Sequence, residues 1–326
     1  MKAIVYEKYG LPDVLQLKEV EIPTPEDNEV LVKVHAASVN DWDWGLLIGK
    51  PFVNRLLFGL LKPKRILGGD IAGRVEAVGI GVKQFQSGDE VFGDLSGCGF
   101  GGFAEYVRAR ENALVSKPDS MTFEEAAAVP QGAILALRGL RDKGQIQPGQ
   151  KVLINGAGGG AGTFAVQIAK SFGAEVTGVD STRKLGIIRS IGADHVIDYT
   201  KEDFTKNGQQ YDYILDFAAH HSFLDYKRAL SPKGIYVMVG GSTARFLQGL
   251  FLGPLISVTT SKKIGFLMHK PNKDLAFMKE LFEAGKVKSV IDKCYPLREV
   301  PEALRYFGKG HARGKVVITV GHDDKT

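Results

Sequence analysis

A glycine-rich stretch over residues 152–170, VLINGAGGGAGTFAVQIAK, carries the strongest chemical signal in this chain. Ordering glycine is entropically costly, so glycines gathered between an apolar run and a helix-like segment indicate a backbone that turns tightly or approaches a ligand. Gly156 would form the turn together with Ala157. Gly159 would let the backbone approach a pyrophosphate, and Gly162 would let the following helix pack close to the strand. N–H groups at the helix start would face the phosphates, which predicts a dinucleotide site.

The choice between NADP(H) and NAD(H) depends on the end of the next predicted strand, EVTGVD. Asp180 is placed to bind a ribose 2′-hydroxyl and should repel a 2′-phosphate. Ser181 can donate a hydrogen bond to that phosphate, and Arg183 and Lys184 can supply charge, unless these two side chains are only solvated. We favour NADP(H) and leave NAD(H) open. The loop residues expected to face the cofactor are Ala157, Gly158, Gly159, Gly160 and Ala161.

The elements that position this loop follow from the pattern along the chain. Up to about residue 124 the sequence is β-rich, with strand-like segments VLVKVHAASVN, IAGRVEAVG and FAEYVRAR. Thr122 and Glu125 form a capping box that predicts a helix start. From Lys151 onward strands and helices alternate, as in KVLIN, AGTFAVQIAKSF and EVTGVD, which predicts a parallel sheet with helices on both faces. The last segment, GKVVITV, is expected to rejoin the first domain.

Composition narrows the function classes. A chain of 326 residues suggests two domains. Its net charge of +5 comes from 42 basic and 37 acidic residues that are scattered, which favours a small anionic ligand over nucleic acid. With only Cys98 and Cys294, neither a disulfide framework nor a cysteine zinc site is expected, and free thiols fit the cytoplasm. The N-terminus lacks a signal-peptide pattern, and the apolar segments are too short for a membrane span.

Several further motifs join the glycine loop: AASVNDWDW, LGGDIAGRVEAVG, SGDEVFGD, GGFAEYV, EEAAAVP, GADHVIDY and GHARGKVVITV. With them the sequence resembles the medium-chain dehydrogenase/reductase superfamily, in its zinc-free quinone oxidoreductase-like group. The resemblance covers nearly the whole chain. It implies an α/β protein with a GroES-like β-rich catalytic domain, residues 1–124 and 270–326. This domain would be interrupted by a Rossmann NAD(P)-binding domain with a doubly wound parallel sheet, residues 125–269.

The resemblance also implies that no metal is bound. Zinc-dependent relatives carry ligands at positions that correspond here to Asn40, Gly69 and Gly132. Glycine has no side-chain ligand and asparagine is a poor one for zinc. Without zinc, alcohol oxidation is disfavoured, and hydride delivery to an electron-poor acceptor is favoured. A quinone or an α,β-unsaturated carbonyl is such an acceptor.

Two residues are candidates for catalysis. Asn40 could donate a hydrogen bond to the acceptor oxygen, or could only fix its loop. Asp43 could orient a water molecule or a neighbouring side chain, or could be structural. Gly45 stands where family members often carry a lysine, which leaves water as a proton source.

Further cofactor contacts are implied by the resemblance, mainly at strand ends: Tyr199 near the adenosine, Phe217 and Ala218 at the nicotinamide ribose, Val239, Gly240 and Gly241, and Arg313 and Lys315 at the phosphates or in a surface turn. Two apolar segments, PFVNRLLFGLLKPKR and FLQGLFLGPLI, are interpreted as loops. They favour a bulky hydrophobic acceptor, but the first could equally be core and the second a dimer interface. SKKIGFLMH is the candidate edge strand of a homodimer.

The sequence thus predicts a zinc-independent NAD(P)H-dependent oxidoreductase that reduces a quinone or an activated alkene. Two alternatives stay open. One is a metal-free alcohol dehydrogenase. The other is an NADPH-binding protein with little turnover, of the crystallin-like or redox-sensing kind, because binding and catalysis use the same glycine loop.

Overall fold

The computed structural model describes residues 1–52, 55–56, 59–60, 63 and 66–322. The chain forms two compact units. The first comprises Met1–Ile134, Lys270–Glu283 and Ser289–Thr326, and the second comprises Leu135–His269 and Ala284–Lys288. The division at Ile134 lies beyond the residue 124 expected from the sequence, because the helix at Phe123–Ala127 packs on the sheet of the first unit. No described helix is long and apolar enough to cross a membrane.

The first unit begins with β-strands, in agreement with the alternating pattern of its sequence. The strands are β1 (Lys2–Val5), β2 (Gln16–Glu19), β3 (Glu29–Val39), β4 (Asp70–Val78), β5 (Glu90–Asp94), β6 (Tyr106–Arg110) and β7 (Val115–Ser116). The helices of this part whose bounds are described are α1 (Asp41–Ile48), α2 (Phe123–Ala127) and the start of α3 (Pro130–Leu137). The predicted capping box is confirmed, since Thr122 and Glu125 cap α2 reciprocally.

The second unit is the predicted doubly wound sheet. Its strands are β8 (Lys151–Asn155), β9 (Glu175–Asp180), β10 (His195–Asp198), β11 (Tyr211–Asp216), β12 (Leu230–Met238) and β13 (Lys263–Phe266). All pairings are parallel, and the order is β10-β9-β8-β11-β12-β13. Its helices are α4 (Gly160–Ser171), α5 (Leu185–Ser190), α6 (Phe223–Ala229) and α7 (Thr243–Thr259), and a π-helical turn spans Arg138–Gly144. This order reverses beside β8, where open sheets of this kind bind dinucleotides.

The C-terminal segment returns to the first unit, as expected from GKVVITV. It contains α8 (Leu275–Glu283), β14 (Ile291–Pro296), α9 (Val300–Gly308) and β15 (Lys315–Thr319). β15 pairs antiparallel with β3, and completes a seven-stranded sheet in the order β14-β15-β3-β4-β5-β7 with β6 also on β3. This pairing brings Lys315, at the start of β15, to the end of β3 that leads into α1.

One loop prediction is wrong. The segment FLQGLFLGPLI lies inside α7, which Ser242 caps by accepting a hydrogen bond from the backbone N–H of Arg245. Pro254 lies within this helix. The other apolar segment, residues 51–65, falls largely outside the described residues. The candidate edge strand is confirmed as β13, which stands at the end of the six-stranded sheet.

Candidate active site

The glycine loop of the second unit has the conformation that its sequence predicts. β8 ends at Asn155, and Gly156 follows with φ of 81°, a left-handed conformation that side chains disfavour. A Cβ on Gly162 would lie 2.0 Å from the carbonyl oxygen of Gly156. Only glycine therefore lets α4 pack this closely on the turn.

The backbone N–H groups of the loop divide into two sets. Those of Ala157 and Gly158 donate within the protein, to the carbonyl of Val179 at 3.1 Å and to Oδ2 of Asp180 at 3.0 Å. Gly160 and Ala161 lie in the first turn of α4, where N–H groups have no acceptor inside the helix. No side chain caps this helix at Gly159. The first turn of α4 therefore fits a pyrophosphate.

Asp180 lies at the end of β9, where the sequence placed it, but its carboxylate is already bound by the protein. Oδ2 accepts the Gly158 N–H, and Oδ1 accepts the Ser181 N–H at 2.8 Å. The ammonium of Lys184 lies 3.7 Å from Oδ1, and Asp180 is only 6% exposed. Arg183, by contrast, is exposed. The negative charge of Asp180 is thus compensated, while Arg183 faces solvent.

The carboxyl ends of β8, β11 and β12 meet beside the glycine turn. The N–H of Phe217 donates to the carbonyl of Asn155 at 3.0 Å, and the N–H of Val239 donates to that of Asp216 at 2.8 Å. A Cβ on Gly156 would lie 3.4 Å from the Cβ atoms of Phe217 and Ala218. The other predicted strand-end residues make backbone contacts at the same edge of the sheet. The carbonyl of Gly240 accepts the N–H of Ala219, and Gly241 forms a β-bridge with Ala219. The N–H of Tyr199 donates to the carbonyl of Asp180.

A buried carboxyl group under these strand ends was missed by the sequence reasoning. Asp216 accepts hydrogen bonds from Nδ2 of Asn155 at 2.8 Å, from the N–H of Ala218 at 2.9 Å and from the hydroxyl of Tyr236 at 2.9 Å. Burial raises the pKa of Asp216 above its ordinary value. The group ties three neighbouring strands together, so it fixes the backbone at the ends of these strands.

A second constellation lies in the first unit, around Asn40. Its Oδ1 accepts a hydrogen bond from Nζ of Lys315 at 2.5 Å, and its Nδ2 donates to Oδ2 of Asp70 at 2.9 Å. All three residues are buried. Asn40 therefore bridges an ammonium and a carboxylate, and both ends of its amide are engaged.

Asp43, the other predicted catalytic residue, holds backbone in place. Its Oδ2 accepts the N–H of Asn40 at 2.9 Å, and its Oδ1 accepts the N–H of Gly68 at 2.9 Å. The carboxyl is fully buried, and burial raises its pKa to about 7. Asp43 fixes the start of α1 and the loop before β4, which supports the structural interpretation of this residue.

The buried ammonium of Lys315 lies beside the buried carboxyl group of Asp70, whose two oxygens differ in their partners. Nζ lies 3.7 Å from Oδ2 of Asp70, which also accepts the N–H of Gln131 at 3.1 Å, whereas Oδ1 of Asp70 has no hydrogen-bond partner. Burial raises the pKa of Asp70, and the nearby ammonium opposes that rise. Burial likewise lowers the pKa of Lys315. A buried lysine of lowered pKa is suited to give up a proton.

Comparisons with known proteins agree with these two units. Two protein-family models match, an alcohol dehydrogenase GroES-like domain over residues 26–119 and a zinc-binding dehydrogenase over residues 191–318. The chloroplast envelope quinone oxidoreductase homolog of Arabidopsis thaliana is 34% identical, across 98% of this chain and 98% of its own. The chain belongs to the quinone oxidoreductase-like group of the medium-chain dehydrogenases/reductases.

Two further proteins are similar to this quinone oxidoreductase-like protein over nearly its whole length. The 2-methylene-furan-3-one reductase of Solanum lycopersicum is 34% identical over 98% of this chain and 79% of its own. The solved structure of Escherichia coli quinone oxidoreductase complexed with NADPH is 25% identical. It superimposes with a TM-score of 0.86 over 98% of this chain and 100% of its own. The expected GroES-like and Rossmann architecture is confirmed.

The zinc named by one family model does not fit the residues of this protein. Of the three positions at which the resemblance leads us to expect ligands, Gly69 and Gly132 have no side-chain donor. The third, Asn40, already accepts a hydrogen bond from the ammonium of Lys315. A metal cation at Asn40 would face this positive charge. Within the ranges described, no group of three or more His, Cys, Asp and Glu side chains could hold a metal ion.

Two positions in the HARGK turn differ in their surroundings. Arg313 is exposed, and its Nε lies 3.5 Å from Oδ1 of Asp292. Lys315 is not in a surface turn, since it is 3% exposed and engaged by Asn40. Contact of either side chain with cofactor phosphates stays a prediction. Asp70 was missed as a site residue; the available signal was a charged residue at the start of an apolar strand.

Proposed function

We propose that this protein is a zinc-independent NAD(P)H-dependent oxidoreductase that reduces a quinone or an α,β-unsaturated carbonyl. The observation that carries the proposal is the bond between Lys315 and Asn40 beside Asp70, because it supplies a buried positive charge and a transferable proton without a metal. The relatives named as quinone oxidoreductase and 2-methylene-furan-3-one reductase support the two acceptor classes.

The second unit would bind the dinucleotide. The first turn of α4 would hold the pyrophosphate, and the ends of β11 and β12 would hold the nicotinamide half. When bound, the reduced nicotinamide supplies a hydride to the electrophilic carbon of the acceptor. Asp216 and Asn155 would keep the strand ends in register, so that the ring is held in one orientation.

The first unit would supply the proton. Lys315 would hold a proton at Nζ and donate it to the acceptor oxygen on which negative charge develops. Asn40 accepts one N–H of that ammonium and so directs the others. Asp70 stabilises the charged lysine before transfer. This assigns proton donation to Lys315 and makes Asn40 a positioning residue, in place of its predicted role as direct donor.

We favour NADP(H) as the cofactor, with NAD(H) accepted. The carboxylate of Asp180 is compensated by two backbone N–H groups and Lys184, so it repels a 2′-phosphate less than a free carboxylate would. Arg183 is exposed beside it and would pair with that phosphate. The NADPH complex of the E. coli relative agrees with this preference.

The acceptor would be a small hydrophobic molecule. We further propose a homodimer that pairs through the edge strand β13, and a cytoplasmic location. The free thiols of Cys98 and Cys294 support a reducing compartment.

The experiment is a panel assay of NADPH and NADH oxidation, with 9,10-phenanthrenequinone, a simple benzoquinone and a 2-alkenal as acceptors. We expect turnover with at least one acceptor. A parallel assay offers NADP⁺ and NAD⁺ with primary and secondary alcohols. Cofactor reduction by alcohols without acceptor turnover would favour the metal-free alcohol dehydrogenase. Tight cofactor binding without any turnover would favour the binding protein.

A further inference from the structure

The loop between β11 and α6, residues 217–222, leaves the carboxyl end of β11, where the proposed dinucleotide site lies. We call it the β11–α6 loop. Its first three N–H groups donate to acceptors on β8, on β11 and just after β12, so this half of the loop is fixed to the sheet. The bonds run from Phe217 to the carbonyl of Asn155 at 3.0 Å, from Ala218 to Oδ1 of Asp216 at 2.9 Å, and from Ala219 to the carbonyl of Gly240 at 3.1 Å.

The second half of the β11–α6 loop is held by one side chain, that of Tyr226 in α6. The N–H groups of His220 and His221 both donate to its hydroxyl oxygen, each at 3.3 Å. Tyr226 is fully buried, so solvent does not reach this oxygen. The loop ends at Ser222, which caps α6 by accepting the N–H of Asp225. A single hydroxyl group therefore fixes two successive peptide units of the loop.

The hydroxyl of Tyr226 also connects the loop to the buried carboxyl group of Asp216. A tyrosine hydroxyl both accepts and donates hydrogen bonds, and the two loop N–H groups occupy its acceptor side. Burial raises the pKa of Asp216, and a hydrogen bond from Tyr226 opposes that rise. Burial also raises the pKa of Tyr226, so its hydroxyl keeps the proton that it donates. The loop is thus linked to Asp216 twice, through the N–H of Ala218 and through Tyr226.

We propose that Tyr226 is a positioning residue for the nicotinamide half of the dinucleotide, because its hydroxyl holds the loop that carries Phe217 and Ala218. The inference rests on the proposed dinucleotide site of the second unit. Without the hydroxyl, the N–H groups of His220 and His221 lose their acceptor, and the loop must move to satisfy them. Ala218 lies only two residues before His220, so this movement would displace the backbone at the nicotinamide ribose.

Two other buried tyrosines of the same sheet differ from Tyr226 in what their hydroxyl groups bind. The hydroxyl of Tyr236 donates to Oδ2 of Asp216 at 2.9 Å, and its ring centroid lies 4.3 Å from that of Tyr226. The hydroxyl of Tyr213 donates to the carbonyl of Gly139 at 2.5 Å. Neither is an acceptor of the five loop N–H groups described above. Phenylalanine at these positions therefore removes a buried hydroxyl without removing an anchor of the loop.

Binding of two ligands to the full chain tests the proposal. One is NADPH, and the other is adenosine 2′,5′-bisphosphate, which lacks the nicotinamide and its ribose. We expect Tyr226→Phe to lower NADPH affinity about tenfold and to leave bisphosphate affinity within about twofold, because only the nicotinamide half depends on the loop. Tyr213→Phe is the matched control for loss of a buried hydroxyl, and it should leave both affinities within about twofold.

Amide hydrogen exchange without any ligand measures the anchor itself. In the unsubstituted protein the amides of His220 and His221 should be protected, because both donate to a buried oxygen. Their exchange should be about tenfold faster in Tyr226→Phe and unchanged in Tyr213→Phe. Exchange at the rate of freely exposed amides in the unsubstituted protein would overturn the proposal, and this measurement does not depend on the folding of any variant.

The binding results separate this inference from the proposed function. If the unsubstituted protein bound neither ligand, the proposed function would fail together with the inference. If it bound both, an unchanged NADPH affinity in Tyr226→Phe, or an equal loss of both ligands, would overturn the inference alone. Tyr236→Phe completes the comparison: a loss of NADPH affinity as large as in Tyr226→Phe would show that the effect passes through Asp216 and not through the loop, which also contradicts the proposal.

Discussion

Nζ of Lys315 lies 2.5 Å from Oδ1 of Asn40, although the two residues are 275 positions apart in the chain. The pairing of β15 with β3 brings them together. This contact buries an ammonium beside an amide, and the proposed proton transfer depends on it.

Two substitutions of Lys315 distinguish the role of its positive charge from its role as a proton donor. Lys315→Met should lower kcat with a quinone by roughly a hundredfold or more, because no proton donor remains. Lys315→Arg keeps a positive charge that does not deprotonate, so it should restore folding and leave kcat low. Steady-state kinetics of both variants measure the effect. Full activity of either variant would rule out Lys315 as the donor.

The stability of the lysine variant needs its own control. Lys315→Met leaves Asp70 buried without its cation, which should cost about 3–5 kcal/mol of unfolding free energy. Adding Asp70→Asn should recover much of that loss without restoring turnover. Denaturant unfolding of the single and double variants checks this, and recovery of turnover by the double variant would contradict the mechanism.

The pH dependence of stability should reveal Asp43. Burial raises its pKa from 3.8 to about 7, so the folded protein binds this proton more tightly than the unfolded chain. The resulting stabilisation is present below about pH 4 and is lost as the pH rises to about 7. Asp43→Asn should flatten this part of the unfolding free-energy profile relative to the unsubstituted protein. Asp27→Asn, at an exposed position, should leave the profile unchanged.

The glycine loop can be tested without unfolding the protein. Gly159 has ordinary φ of −87°, and a Cβ there would meet only the carbonyl oxygen of Gly156, at 3.3 Å. The larger side chain of Gly159→Val would occupy the phosphate position, so NADPH affinity should fall about a hundredfold or more while the melting temperature changes little. Gly186→Ala, which adds a Cβ in open space, is the control. Unchanged NADPH affinity in Gly159→Val would refute the phosphate loop.

Cofactor preference is tested at Arg183. Arg183→Ala should lower the affinity ratio of NADPH over NADH about tenfold, because one charge-assisted contact with the 2′-phosphate is lost. Arg189→Ala, another exposed arginine on the following helix, should leave the ratio unchanged. Fluorescence titration with both cofactors measures the ratios. An unaltered ratio in Arg183→Ala would remove the support for NADP(H).

Local signals in the sequence were sufficient to predict the elements around the glycine turn. The apolar run before Gly156, the acid at Asp180 and the capping box at Thr122 each depend on neighbours a few residues away, and each appears where expected. The strands and helix starts in this region could therefore be predicted before the fold was known.

Long-range contacts and one unusual helix could not be predicted from the sequence. The prediction for Lys315 used only the neighbouring residues of the HARGK turn. Its partner Asn40 is brought close only by the pairing of β15 with β3. Helix α7 was interpreted as a loop, because its two apolar faces erase the period that marks a surface helix. In both cases the structure depends on tertiary contacts that the local sequence pattern does not reveal.

The most direct test of a metal-free reaction is NADPH oxidation with 9,10-phenanthrenequinone by protein dialysed against a chelator, with bound metal counted by mass spectrometry in the same sample. We expect an unchanged rate at far less than one metal ion per chain. Loss of activity that stoichiometric zinc restores would show that the reaction requires a metal.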